Sequence, residues 1–104
     1  MSDYITVERR GHLLLVGLNR PQKRNAFDVG MFTAIGRAWA ELDGDDELRV
    51  GVLFAHGDHF TGGLDLAEWA PIFACGRLPV SDDAIDPFGL QGRRLGKPVV
   101  AAVQ

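Results

Sequence analysis

Two apolar runs flank an amphipathic stretch, and this arrangement restricts the fold more than any other feature of the chain. Leu13 to Leu18 (LLLVGL) is almost continuously apolar, and so is Val50 to Ala55 (VGVLFA). Both are short, rich in β-formers and apolar on both faces, as strands inside a parallel sheet are. Between them, Asp28 to about Asp43 carries Phe32, Ile35, Trp39 and Leu42 at spacings of three and four, one apolar stripe of a helix. Asp28, or Asn25 just before it, is placed to cap the start of that helix. Gly44-Asp45-Asp46 closes it. Strand, helix and strand make a crossover unit, which joins parallel neighbours and is expected to be right-handed.

The flanks extend this unit. Tyr4 to Arg9 alternates, with Ile5 and Val7 on one face and Thr6 and Glu8 on the other, the period of a half-buried strand. Arg10-Gly11 turns the chain into Leu13, predicting a hairpin. Asn19-Arg20-Pro21 ends the second strand, because proline removes a donor and restricts its neighbour. Further on, Leu66 to Ala74 predicts a short helix and Cys75 to Pro87 a loop. Pro87 to Leu95 predicts a helix weakened by Gly89 and Gly92, and Val99 to Val103 a last buried strand. That strand ends at Gln104 with nothing after it to cover or pair with it. Exposed apolar edges are aggregation hazards, so we expect the chain to be cut short or to depend on a partner.

Composition narrows the function. The chain has 104 residues, one small domain or a piece of a larger one, and is 46% hydrophobic, too apolar for disorder. A formal net charge of −3 argues against nucleic acid, and no run is long enough to span a bilayer. The single cysteine, Cys75, excludes an internal disulfide and a cysteine-built metal site and fits a reducing cytoplasm. Basic residues cluster at Arg20, Lys23 and Arg24 and again at Arg93, Arg94 and Lys97. Either cluster is a solvated basic turn or a local anion site.

Residues 57–64 (GDHFTGGL) follow a strand and precede a helix, where phosphate loops sit. The lysine and hydroxyl of G-x-x-x-x-G-K-[ST] are replaced by Gly63 and Leu64, so nucleoside triphosphate chemistry is not expected. What remains is a glycine-flanked helix start. Taken alone it is a tight turn; the competing reading is a backbone N–H offered to an oxyanion. Asp65 is expected to accept N–H bonds at the helix start. His56, Asp58 and His59 read as solvated loop residues, since a metal needs a further ligand. His12 reads as a structural residue within a strand, and Glu68 as a solvated acid.

Three segments together alter this balance. LNRPQKRNAF (Leu18 to Phe27) resembles the amino-terminal signature of the crotonase, or enoyl-CoA hydratase/isomerase, family: a strand ending in N-R-P, then a short loop into N-A. HFTGGLDLAEW resembles the family's F-x-x-G-x-D-[LI]-x-E segment, and GKPVVAAVQ its K-P-V-[IV]-A-A-[VI] strand, in matching order and spacing. The resemblance implies an α/β, crotonase-like spiral of ββα units. Residues 1–104 hold an incomplete, amino-terminal part of it: the hairpin, parallel strands and crossover helices.

It further implies an acyl-CoA thioester as ligand, with coenzyme A part of the substrate and no separate cofactor or metal. Full-length members assemble as trimers or as hexamers built from two trimers. The Leu64 backbone N–H becomes one half of an oxyanion hole for a thioester enolate. Lys23, Arg24 and Ala26 line the CoA site, and Thr61, Gly63, Asp65 and Leu66 border its pantetheine and thioester end. The family's second oxyanion N–H and its acid/base glutamates lie past Gln104, so no residue here is assigned as general acid or base. The expected activity is enoyl-CoA hydratase or isomerase. The alternative is a truncated, non-catalytic product that only associates with a complementing or full-length subunit.

Overall fold

The computed structural model describes residues 4–80, 83–89, 92 and 94–103. Six elements follow in order: β1 (Ile5–Arg10), β2 (Leu13–Leu18), α1 (Val29–Gly44), β3 (Val50–Ala55), α2 (Leu66–Cys75) and β4 (Val99–Ala101). A single 3-10 turn, Pro21–Lys23, lies between β2 and α1. The strands form one sheet in the order β1-β2-β3-β4. β1 and β2 are antiparallel, whereas β2–β3 and β3–β4 are parallel. The β2–α1–β3 crossover is therefore present with the strand bounds its apolar runs predict.

Alternation decides which face of the sheet is covered. Leu14, Val16 and Leu18 point to one side of β2 and are fully buried there. Ile5 and Ala55 lie opposite Leu18 on either side and share that face. The covering layer is α1, whose predicted stripe of Phe32, Ile35, Trp39 and Leu42 is buried together with Met31, Ala34 and Ala38. Gly51 allows the close approach: a Cβ there would sit 2.8 Å from Trp39 and 2.9 Å from Leu42. Fully burying a side chain of Leu, Met or Phe size contributes about 1.5–3 kcal/mol, so this layer supplies most of the driving force.

Both ends of α1 are held by named groups. The Asp28 carboxylate accepts the Met31 N–H at 2.7 Å, which settles the cap in favour of Asp28 over Asn25. At the other end the Lys97 ammonium donates to the carbonyls of Leu42, Asp45 and Leu48, each at 2.7 Å. Leu42 O lies in the last turn of α1, where carbonyls lack helical partners and a cation is favoured, while Asp45 O and Leu48 O belong to the turn that follows. Lys97 is thus consumed by structure and does not serve an anion site.

Several expectations need correction. β1 starts and ends one residue later than Tyr4–Arg9, so the turn is Gly11-His12 and His12 lies outside the strand. There its Nδ1–H donates to Glu47 O at 2.7 Å, a structural role in a different place. The segment 87–95 is not helical in its described residues; Gly89 and Gly92 take left-handed φ of 67° and 74°, which break a helix. Leu90, Gln91 and Arg93 of that segment lie outside the described residues. The loop before it is partly interior: Ala84, Ile85 and Asp86 are buried, with Ile85 N–H donating to Gly36 O at 3.1 Å. β4 is exposed rather than buried, with Val100 57% accessible, because it forms an edge of the sheet.

Candidate functional site

The register of the sheet creates the site. Leu18 pairs with Ala55 at the carboxyl ends of parallel β2 and β3, so the loops leaving these strands start side by side. The first is Asn19–Asp28 and the second His56–Asp65. The crevice outside the carboxyl ends of parallel strands is where α/β sheets bind ligands.

Asn25 fastens the two loops. It is 1% exposed and takes a left-handed φ of 56°, which asparagine tolerates better than most residues. Its side-chain oxygen accepts the Arg20 N–H at 2.6 Å, and its amide donates to His56 O at 2.9 Å and His59 O at 2.7 Å. The Thr61 hydroxyl adds a second tie by donating to Asn25 O at 2.7 Å, and Gly62 N–H a third to Arg24 O at 2.8 Å. Sequence reasoning considered Asn25 only as a helix cap. The available signal was an asparagine between a turn and a helix that Asp28 already capped.

Beyond these ties the loops pair as strands for a single step, Phe27 beside Leu64. Phe27 N–H donates to Gly63 O and Asp65 N–H to Phe27 O, both at 2.7 Å. Phe27 O also accepts the indole N–H of the buried Trp69 at 3.0 Å, which seats α2 against the loop. Gly63 has φ 98°, a conformation reserved for glycine. Its N–H donates to the Thr61 hydroxyl at 3.1 Å. The N–H groups of Gly62, Gly63 and Asp65 are therefore all used. That of Leu64, between them, donates to no described residue.

The charged groups around this point are committed. Arg20, with 11% of its side chain accessible, donates from Nη1 to Asp65 Oδ2 and to Ala26 O, both at 3.1 Å. Its guanidinium lies 5.2 Å from the Tyr4 ring centroid. Burial works against its charge, but the hydrogen bond to Asp65 and the charges of Asp28 and Asp65 outweigh that and raise its pKa. Arg20 thus belongs to the loop framework and not to a solvated basic turn. Asp65 makes no side-chain bond to the helix start, contrary to expectation, because Arg20 has taken its carboxylate. Glu68 is tied as well, accepting Val29 N–H at 3.2 Å.

Of the expected site residues, Thr61, Gly63, Leu64 and Asp65 converge with Ala26 around the Phe27–Leu64 bridge. Lys23 and Arg24 are exposed at the end of the 3-10 turn, Arg24 with φ 52°. Leu66 is 70% exposed on the first turn of α2. His59 and Asp58 are solvated, whereas His56 is half-buried, with Nε2 3.0 Å from the Thr6 hydroxyl oxygen. Among the described residues no three His, Cys, Asp or Glu side chains stand close enough to hold a metal ion. No helix among them is long and apolar enough to cross a membrane.

A sheet with this crossover and these two fastened loops defines an α/β protein with a candidate site at the strand ends, and comparison with known proteins shows its family. The model of the enoyl-CoA hydratase/isomerase family matches residues 8–104. The crystal structure of a probable enoyl-CoA hydratase/isomerase from Mycobacterium abscessus superposes with a TM-score of 0.90 at 40% identity, covering 98% of this chain and 39% of that one. The enoyl-CoA hydratase EchA19 of Mycobacterium tuberculosis is 39% identical over 106 residues, 94% of this chain and 38% of the relative. A mevalonyl-coenzyme A hydratase of Aspergillus fumigatus is 37% identical, over 88% of this chain and 34% of its own length. This chain belongs to the enoyl-CoA hydratase/isomerase family and has an incomplete crotonase fold. It spans little more than a third of the curated relatives it matches.

Proposed function

We propose that the two fastened loops bind an acyl-CoA thioester and that the Leu64 N–H donates to its carbonyl oxygen as negative charge develops there. The observation that carries this reading is the Leu64 N–H, which donates to no described residue while the N–H groups of Gly62, Gly63 and Asp65 are all bonded. A preorganised donor of this kind costs no reorganisation during reaction, and removing one typically lowers the rate about a hundred- to a thousandfold. Lys23 and Arg24, exposed on the first loop, suit the phosphates of coenzyme A. Thr61, Gly63, Asp65 and Leu66 border the thioester end, and the reading requires no separate cofactor, coenzyme A being part of the substrate. Asp28, Asp65 and Glu68 are each held by structural bonds. Proton transfer in a hydration or isomerisation is therefore assigned to a carboxylate outside this chain. The setting we propose is a cytoplasmic homo-oligomer, a trimer or hexamer.

A second reading has its own support. β4 exposes Val99 and Val100, and Val103 follows it exposed, which suits a chain that associates with a complementing or full-length subunit without turning over substrate.

Titration of the isotope-labelled chain with acetoacetyl-CoA and with coenzyme A alone tests the first reading. We expect the thioester to move the amide resonances of Lys23, Arg24, Ala26 and Leu64, and coenzyme A to move all but Leu64. A Leu64 amide indifferent to the thioester refutes it. Hydration of crotonyl-CoA, followed by loss of the conjugated thioester absorbance, is expected of this chain under neither reading, and turnover by it would overturn the assignment of proton transfer to a carboxylate outside it.

A further inference from the structure

We propose that the Arg20 guanidinium aims and polarises the Leu64 N–H through a relay of two backbone amides, which makes Arg20 a positioning residue for the oxygen that this N–H binds. The identity of that oxygen rests on the reading above; the relay does not.

The relay follows from the bonds around the Phe27–Leu64 bridge. Arg20 Nη1 donates to Ala26 O at 3.1 Å. Ala26 O and the Phe27 N–H are the two ends of one peptide group. That N–H donates to Gly63 O at 2.7 Å. Gly63 O and the Leu64 N–H are in turn the two ends of the next peptide group, and no peptide here is cis. In a planar trans amide the C=O and N–H point in opposite directions. Binding Gly63 O to Phe27 therefore turns the Leu64 N–H away from the first loop, out of the paired backbone.

Strength is passed along with direction. An amide whose oxygen accepts a hydrogen bond becomes a better donor at its nitrogen, by about 10–30% per bond. The first bond comes from a cation, and charge-assisted bonds are about twice as strong as neutral ones. The head of the relay is fixed: Asp65 Oδ2 holds the same Nη1 at 3.1 Å, and Tyr4 lies against the guanidinium. Arg20 Nε is buried without a hydrogen-bond partner, so the side chain is oriented to serve Nη1 and leaves Nε unserved. Asp65 also closes the clamp on the other flank of Leu64, since its N–H donates to Phe27 O.

Amide proton shifts of the ligand-free, isotope-labelled chain test the relay. Arg20→Gln should move the Phe27 and Leu64 amide protons upfield, and Arg20→Lys should restore part of the shift by keeping the cation. Asp65→Asn should move them downfield, because Nη1 is released from its ionic partner to Ala26 O. Opposite signs from two substitutions on one ion pair are not what simple loosening of the loops produces. If Arg20→Gln does not fold, the downfield shift in Asp65→Asn carries the test. Unmoved amides in folded Arg20→Gln, or upfield movement in Asp65→Asn, overturn the relay. Adding acetoacetyl-CoA separates the two claims. A Leu64 amide that responds to Arg20 but not to thioester leaves the relay standing and removes the oxyanion reading. Equal thioester shifts in wild type and Arg20→Gln do the reverse.

Discussion

Replacing Asn25 tests the coupling of the two loops most directly. Its side chain serves three backbone groups, the N–H of Arg20 and the carbonyls of His56 and His59, and it is almost fully buried. Leaving a buried partner unsatisfied costs about 1–3 kcal/mol. Asn25→Gly keeps the left-handed backbone and loses all three bonds, and with some water reaching the opened loops we expect a loss of about 3 kcal/mol. Asn25→Ala adds the strain of a Cβ in the left-handed region, about 1 kcal/mol more. Asn25→Asp sets a carboxylate against two carbonyl oxygens, which raises its pKa in the folded state. Its destabilisation should therefore ease as pH falls through that raised value and the carboxyl protonates. Urea denaturation followed by tryptophan fluorescence reads these differences, since Trp69 is bonded to Phe27 beside the staple. At a slope of about 1.5 kcal/mol per molar, Asn25→Gly should lower the midpoint by about 2 M. A midpoint within about 0.5 M of wild type would refute the staple. Equal midpoints for the glycine and alanine variants would refute the backbone part of the argument.

Two further outcomes concern the scaffold. Lys97→Met keeps the aliphatic stem but removes the ammonium bonds to Leu42 O in the last turn of α1 and to Asp45 O and Leu48 O in the turn after it; we expect a loss of about 2–3 kcal/mol in the same assay, with Lys97→Arg recovering only part. Asp45 has its pKa lowered by the Glu47 N–H and by Arg9. Its contribution to stability is present above the ordinary value of 3.8 and is lost as pH falls through the lowered one. The difference in unfolding free energy between wild type and Asp45→Asn should therefore hold steady above pH 3.8 and shrink as pH falls below it.

The parts legible in sequence are those with a period or a local cap. The stripe Phe32, Ile35, Trp39 and Leu42 marks the buried side of α1, and the runs at β2 and β3 mark interior parallel strands, because burial on one or two faces leaves a repeating trace. Asp28 was legible because its partner is three residues away. Asn25, Arg20 and Lys97 were not read for what they do, because each bonds to groups up to 34, 45 and 55 residues distant along the chain. Such pairings have no period and become visible only once the strands have set the loops together. Two of the three motif segments lie on the loops that the sheet brings together, and Asp65, expected to accept N–H bonds at the helix start, is bonded to Arg20 instead. β4 went wrong for another reason. Apolar side chains state what a strand prefers to touch, and Val100 on the sheet edge is left 57% accessible.

The in-register start of the two site loops at Leu18 and Ala55 has a consequence for how such a protein diversifies. Their positions are set by a sheet whose buried side chains pack against α1, so a change of loop sequence need not be matched by a change in the scaffold. Residues such as Lys23 and Leu66, exposed on the rim, can be exchanged one at a time while the staple and the bridge persist. New specificities are then reachable through a series of intermediates, each of which still folds.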